Sequence, residues 1–294
     1  MTTKQPKSAT KDLKSTADSE NKTVRHNQSS RPSTPAEQID DLTGDPNFMS
    51  SLGRGLAVIS AFNEQTPRQT IAQISQTTAI PRASVRRCLL TLQKLGYVQS
   101  ESHLFSLSPK ILSLCHAYLS STPLVSIAQP VLDRVSRAID DSCSLGILDG
   151  DEILYLARSA TSRIMSVVLN VGSRLPVYCT SMGRVLLASL PEDELDAYLA
   201  RAELKPLTER TITDPGKLRQ LVAKTRQTGM ALVDQELEIG LRSIAVPVRD
   251  RSGAVIASLN VGILASRMTL REMEKHLLPH LQDAAAELRM MQSY

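Results

Sequence analysis

The chain of 294 residues is about twice the usual single-domain length, which favours two domains. Hydrophobic residues at 41% and charged residues at 22% exclude a wholly disordered, collagen-like or disulfide-scaffold protein. The net charge of +4 is uneven: residues 46–122 hold seven basic side chains (Arg54, Arg68, Arg82, Arg86, Arg87, Lys94, Lys110) against Glu64 and Glu101, while 1–45 balance and 123–294 come to −1. That distribution points to a polyanion-binding module beside a near-neutral domain with another task.

Residues 1–45 are rich in Ser, Thr, Lys, Asp and Gln, with almost no large apolar side chains. They cannot bury enough surface to offset their ordering entropy, so a disordered polar arm is expected. The arm starts polar and lacks the apolar core of a secretory signal. Its basic run (Lys4, Lys7, Lys11, Lys14, Lys22, Arg25, Arg31) offers phosphate contacts, although a solubilising tail is the favoured reading.

Within the basic block, Leu52, Leu56 and Ile59, with Val58 and Phe62 on the adjoining edge, recur at helical spacing and predict an amphipathic helix over about 50–63. After Pro67, Ile71 and Ile74 mark a second, short helix. Ala79-Ile80 makes a tight turn, and Pro81 suits the first position of a third helix. That helix buries Val85, Leu89, Leu92 and Leu95, keeps Leu90 at the edge of the stripe, and stops at Gly96. Its exposed start carries Arg82, Ser84, Arg86 and Arg87. Two short helices around a tight turn, the second opening with arginines, follow helix-turn-helix logic, in which Arg reaches guanine O6 and N7 in the major groove. Tyr97-Val98 and Leu104–Leu107 read as the two strands of a wing around Gln99–His103. Aromatic residues are only 3% and Trp is absent, so a stacking platform for single strands is missing and duplex DNA is the better partner.

Pro109 opens a linker helix to about residue 122. Residues 123–294 then read as α+β. A helix interrupted at Pro130 precedes two strands around Asp149-Gly150, and a third strand lies near Met165–Asn170. Helices follow over 179–190, from Pro191, and from Asp214-Pro215 to Gly229. Two strands flank Arg251-Ser252-Gly253, and a capping box at Thr269 and Glu272 opens one long closing helix to about Gln292.

The stretches SLGRGLAVISAF (51–62), IAQISQTTAIPRASVRRCLLTLQKLGYV (71–98), SRLPVYCTSMGRVLLASLP (173–191) and the run from Thr211 to Val261 carry a likeness. The last contains Glu238, Gly240, Ala245 and Pro247 in the order E-x-G-x-x-x-x-A-x-P. On these the chain resembles the IclR family of bacterial transcriptional regulators from about residue 50 onward. Through RIMSVVLNVGSRLPVYCTSMGRVLLA it is most similar to the regulators of protocatechuate, 4-hydroxybenzoate and β-ketoadipate breakdown.

The resemblance implies an α+β chain with an N-terminal winged helix-turn-helix (46–108), a linker helix (109–122) and a GAF-like effector and oligomerisation domain with an antiparallel sheet (123–294). It implies double-stranded operator DNA as partner, with Arg54, Arg68, Arg82, Ser84, Arg86 and Arg87 on the DNA side. A small aromatic or dicarboxylic acid is the implied effector, beside Thr180, Ser181, Met182, Gly183, Val233, Asp234, Leu241, Ser243 and Asn260. A helix start with N–H groups and hydroxyls suits a carboxylate, and Arg158, Arg163 or Arg184 would strengthen it. A homodimer or dimer of dimers, contact with RNA polymerase and an activator's role in aromatic acid catabolism complete the expectation. A repressor of another carbon-catabolism operon is the alternative within the class.

The rival class is an enzyme acting on a small acid. Asp234, Glu236 and Glu238 alternate and could pair as acid and base, Cys179 could be an activated thiolate, and His276 and His280 stand i, i+4 as a metal pair. None has a completing partner in the sequence, so no catalytic residue, metal or cofactor is expected. Cys88, Cys115, Cys143 and Cys179 lie far apart with no C-x-x-C pair, which favours reduced thiols and a cytoplasmic protein, and no apolar run is long enough to span a membrane.

Overall fold

A computed structural model describes residues 1–2, 34–160 and 169–291. The basic run of the arm, Arg163 and most of the strand expected near Met165–Asn170 lie outside the described residues; Leu169 and Asn170 are not strand. The chain divides into two compact units, 1–111 and 112–294.

In the first unit, the stretch expected to be arm as far as residue 45 contains helix α1 (Pro35–Asp41), started by a reciprocal capping box between Thr34 and Glu37. One apolar residue anchors it: Ile39 is buried and packs at Gly53 beside Phe48. Next come α2 (Ser50–Ser60), α3 (Ile71–Thr78) and α4 (Arg82–Lys94). Thr70 and Gln73 form the capping box of α3. Ala79 ends it in the left-handed region (φ 58°), so the chain reverses within the helix-turn-helix. The turn is held because Ser75 Oγ donates to the Ile80 carbonyl (2.7 Å) and Thr78 Oγ1 to the Ile74 carbonyl (2.7 Å). Pro81 is the residue before α4 rather than its first; its carbonyl accepts from Ser84 and Val85 N–H.

Val58, Ile74, Ile80, Val85 and Leu89 form the centre of this unit's core. Leu52, Leu56 and Leu95, expected on buried stripes, are instead more than half exposed (58%, 54% and 53%). Strands β1 (Val98–Glu101) and β2 (Leu104–Leu107) make the wing. Its turn is Ser102-His103 alone, both at positive φ, which matches the twist of a two-residue hairpin. Gln69 exchanges two backbone hydrogen bonds with Phe105 and donates its side-chain amide to the Ala61 carbonyl, tying wing to helices. A 3₁₀ turn at Pro109–Ile111 closes the unit where one continuous linker helix was expected.

The second unit begins with α5 (Leu112–Ser121) and α6 (Pro123–Ile139). Pro130 does not interrupt α6; the helix runs through it. Strands β3 (Ser142–Asp149), β4 (Glu152–Ser159), β5 (Arg174–Pro176), β6 (Ala231–Asp234), β7 (Leu241–Arg249) and β8 (Val255–Leu264) form one antiparallel sheet in the order β5-β4-β3-β8-β7-β6. Asp149 pairs with Glu152, so the β3–β4 turn is Gly150-Asp151, one residue later than expected. Between β5 and β6 run α7 (Ser181–Leu187), α8 (Glu192–Arg201) and α9 (Pro215–Thr228); α10 (Leu270–His276) and α11 (Leu278–Met291) end the unit. The expected single closing helix is thus two, broken at Leu277, two residues before Pro279, whose missing N–H is tolerated in the first turn of α11.

Side-chain alternation splits the sheet into two faces. Ile244, Val246, Val248, Ala257, Leu259, Val261 and Ile263 pack on α6, α10 and α11. Tyr155, Ala231 and Ala245 pack with α7, α8 and α9 on the other side. The sheet is therefore covered on both faces, and the second cover leaves a cleft. No single helix among the described residues is long and apolar enough to cross a membrane.

Candidate functional sites: a recognition helix and a ligand cleft

In the first unit, α4 presents its polar residues in two strips. Arg82, Arg86 and Gln93 follow i, i+4, i+11 spacing on one flank, and the Gln93 amide donates to Ser100 Oγ of the wing (2.9 Å). Ser84, Arg87 and Thr91 lie on the flank facing α2, where they line a groove with Arg54, Leu52, Leu56 and Leu95. Arg82, Arg86 and Arg87 are exposed; Ser84 and Arg54 are half-buried. Arg68 is apart from them, at the wing, in a surface ion pair with Glu101 (3.3 Å). The six candidate DNA residues thus form a wing-side pair, a groove-side group of three and one wing residue.

In the second unit, one cleft gathers much of the expected effector set. Thr180, Ser181, Val233, Leu241, Ser243 and Asn260 all line it. Sequence reading missed Ser142, Ser144, Tyr155, Leu169, Leu175, Leu237 and Gly262, which complete the wall with Arg158 and Cys179. Register explains the polar side: Ser144 opposes Asn260, and Gly262 opposes both Ser142 and Ser243, so these residues share one face of three adjacent strands. The alternation Ser142-Cys143-Ser144-Leu145 was the available signal, since it sends serines toward a face that helices cover.

Three of the nine expected effector residues serve packing or pairing instead. Met182 is buried in the core against Gly146. Gly183 is where α7 approaches Val177; a Cβ there would sit 1.9 Å from the Val177 carbonyl oxygen. Its N–H is taken by the Thr180 hydroxyl that caps the helix (3.1 Å), so it is not a free carboxylate donor. Asp234 pairs with Arg242 (2.6 Å) and Arg210 (2.6 Å), which hold its carboxyl below the usual range although burial opposes this.

Among the candidate arginines, Arg184 is buried and chelates Glu236, its Nη2 donating to Oε1 (2.7 Å) and Oε2 (2.6 Å). Of the two candidates among the described residues, Arg158 is the one that lines the cleft. Its Nη2 donates to Ser142 Oγ (3.3 Å), while its Nε is buried without a hydrogen-bond partner. Burial pulls its pKa down, so the cation is poorly solvated. Ser181 Oγ and Asn260 Oδ1 are likewise buried and unpartnered. Each such atom costs free energy unless something completes it.

The features that suggested catalysis have other uses. Burial first, and then the charge of Glu236, pushes the Cys179 thiol up to about 12, the reverse of an activated thiolate. Glu236 and Asp234 are committed to arginines, and no group of three His, Cys, Asp or Glu able to hold a metal occurs among the described residues.

Comparison with known proteins agrees with this division of the chain. Residues 51–102 match the IclR helix-turn-helix domain, and residues 116–290 match the bacterial transcriptional regulator IclR C-terminal domain. The chain is similar to the Pca regulon regulatory protein of Pseudomonas putida, 55% identical over 256 residues that cover 87% of this chain and 88% of that protein. A transcriptional regulator of known structure from Rhodococcus sp. RHA1 is 45% identical with a TM-score of 0.74, covering 83% of this chain and 98% of its own. An IclR homologue from Microbacterium hydrocarbonoxydans, crystallised with 4-hydroxybenzoate, is 26% identical with a TM-score of 0.71 over 82% of this chain and 98% of its own. The chain belongs to the IclR family of bacterial transcriptional regulators.

Proposed function

We propose that the chain is a ligand-responsive activator of an aromatic-acid catabolic operon, the β-ketoadipate pathway, with protocatechuate, 4-hydroxybenzoate or β-ketoadipate as effector. One observation carries the ligand reading. Arg158 Nε, Ser181 Oγ and Asn260 Oδ1 are three buried polar atoms without partners, all on residues of one cleft. Apolar lining comes from Leu169, Leu175, Val233, Leu237 and Leu241. A small carboxylic acid satisfies both sides: its carboxylate takes the Arg158 guanidinium and the Ser181 hydroxyl, its ring or chain lies on the leucines, and a hydroxyl or keto group meets Asn260 or Ser243. Similarity to a Pca regulon regulator and to a 4-hydroxybenzoate-binding homologue supports this choice of acid.

DNA recognition falls to Arg82, Ser84, Arg86 and Arg87 on α4, with Arg54 and Arg68 contributing phosphate contacts. A homodimer presents two such helices about 34 Å apart to a two-fold operator. RNA polymerase is a further partner of the ligand-bound state. A thermal-shift screen of the three acids tests the ligand reading. At saturation one of them raises the melting temperature, and a promoter fusion in a strain lacking this chain loses its response to that acid. No shift with any of the three overturns it.

A further inference from the structure

The buried Arg184–Glu236 pair is not among the residues that line the cleft. Arg184 is one turn beyond Ser181 on α7, and Glu236 directly precedes Leu237 in the segment joining β6 to β7. Both Ser181 and Leu237 line the cleft, so the pair joins two of its walls from the outside. The side chains are 3% and 8% exposed. The Glu236 carboxylate also accepts the Ile212 N–H (3.3 Å), and its backbone carbonyl accepts Thr211 Oγ1 (2.6 Å). Thr208 Oγ1 donates to the carbonyl of Gln235 (2.8 Å), a residue held in the left-handed region at φ 62°. The same segment folds on itself through Gln235 N–H to the Leu241 carbonyl (2.8 Å) and Gly240 N–H to Gln235 Oε1 (3.0 Å). Leu237 thus reaches the cleft from a short turn that leads into Leu241 at the start of β7, and the Arg184–Glu236 ion pair is the anchor that ties this turn to α7.

A buried pair of this kind is a poor source of net stability, because desolvating both ions offsets their attraction. Here the account is poorer still, since Arg184 Nε is buried and unpartnered. What the chelate does supply is geometry: one guanidinium nitrogen on both carboxylate oxygens fixes where residue 236, and with it Leu237, sits relative to α7. We propose that Arg184 and Glu236 are positioning residues for ligand recognition, setting the Leu237–Leu241 wall so that ligand affinity depends on them more than folding does. This rests on the cleft being the effector site, and the test separates the two claims.

The full-length chain is compared with Arg184→Lys, Glu236→Gln and the apolar double variant Arg184→Met/Glu236→Leu. Hydrogen exchange at residues 235–241 reads the wall without any ligand, and calorimetry with 4-hydroxybenzoate and with protocatechuate reads the cleft. The double variant is expected to melt close to the wild type, exchange about tenfold faster at 235–241, and lose about tenfold in acid affinity. Arg184→Lys, which keeps the charge but not the planar guanidinium, falls between. Wild-type exchange at 235–241 in the double variant overturns the proposal, as does wild-type acid affinity with faster exchange. If the double variant melts far below the wild type, the two single variants decide by the same exchange criterion. If neither these acids nor β-ketoadipate binds the wild type, the effector assignment fails, and exchange alone decides whether the pair sets the wall.

Discussion

Arg158 is where the ligand hypothesis meets a single side chain. Half-buried beside Tyr155, it has Ser142 as its hydrogen-bond acceptor and a buried, unpartnered Nε. Replacing it with Gln removes a charge that is costly in the empty cleft and useful in the filled one. Arg158→Gln is therefore expected to leave the melting temperature of the free protein unchanged or raised, while acid affinity drops by about 1.5–3 kcal/mol, the range of a hydrogen bond to a charged group. Gly183 makes the opposite point, because its role is packing. A Cβ there meets the Val177 carbonyl oxygen at 1.9 Å and Thr180 Oγ1 at 2.7 Å, and backbone cannot swing aside. Gly183→Ala should cost at least about 1–3 kcal/mol in chemical denaturation, as overpacked sites do. A third expectation concerns pH. Burial lifts the Cys143 and Cys179 thiols from about 9 to about 12, and pushes the Tyr155 and Tyr198 phenols up as well. The folded state then retains protons that the unfolded chain releases. Stability contributed by the two thiols is complete below about pH 9 and is lost progressively toward about 12. Urea unfolding across that range should show falling stability, with a shallower slope in Cys143→Ala/Cys179→Ala.

At the scale of elements, the DNA-binding half tests the placement of α4. Arg82 and Arg86 share the wing-side strip, whereas Ser84 and Arg87 share the α2 side with Arg54. Arg82→Ala or Arg86→Ala should each weaken specific operator binding by about 1–3 kcal/mol in fluorescence anisotropy, with acid affinity unaltered. Unchanged operator affinity in both would mean that the recognition surface lies elsewhere. Helices α2 to α4 were legible from 3.6-residue periodicity and flanking prolines and glycine, as the stripe Val85, Leu89, Leu92 between Pro81 and Gly96 shows. The outward Leu52, Leu56 and Leu95 were misread, since periodicity reports an apolar face but not what covers it. Helix α1 was hidden because a single residue, Ile39, anchors it in an otherwise polar stretch, although Thr34 and Glu37 already spelled its capping box. Ile39→Ala should cost about 2 kcal/mol, the low end for truncating a buried aliphatic side chain, if that anchor is what holds α1. The cleft was half legible. Thr180, Ser181, Ser243 and Asn260 came from the family likeness, but Leu169 and Leu237 sit outside regular elements and Leu175 in a strand of three residues, and only the fold brings them to the wall.

For the whole molecule, the uneven charge and the cleft belong to different units and make separable predictions. Seven cations against two carboxylates in 46–122 call for an operator affinity that falls steeply with salt, and each lost phosphate contact, such as Arg54 or Arg68 to Ala, should reduce the log–log slope by about 1. The near-neutral unit cannot attract an acid by bulk charge, so recognition there rests on a few local donors. An acid that binds the two functional states equally would shift nothing, so regulation requires a difference in operator affinity between free and acid-bound protein. The most direct test of the account is a calorimetric titration, into wild type and Arg158→Gln, of whichever of protocatechuate, 4-hydroxybenzoate and β-ketoadipate most raises the melting temperature. Saturable binding by the wild type and a loss of at least about tenfold in a fully folded Arg158→Gln is the predicted result. Equal affinity in the two proteins would contradict it.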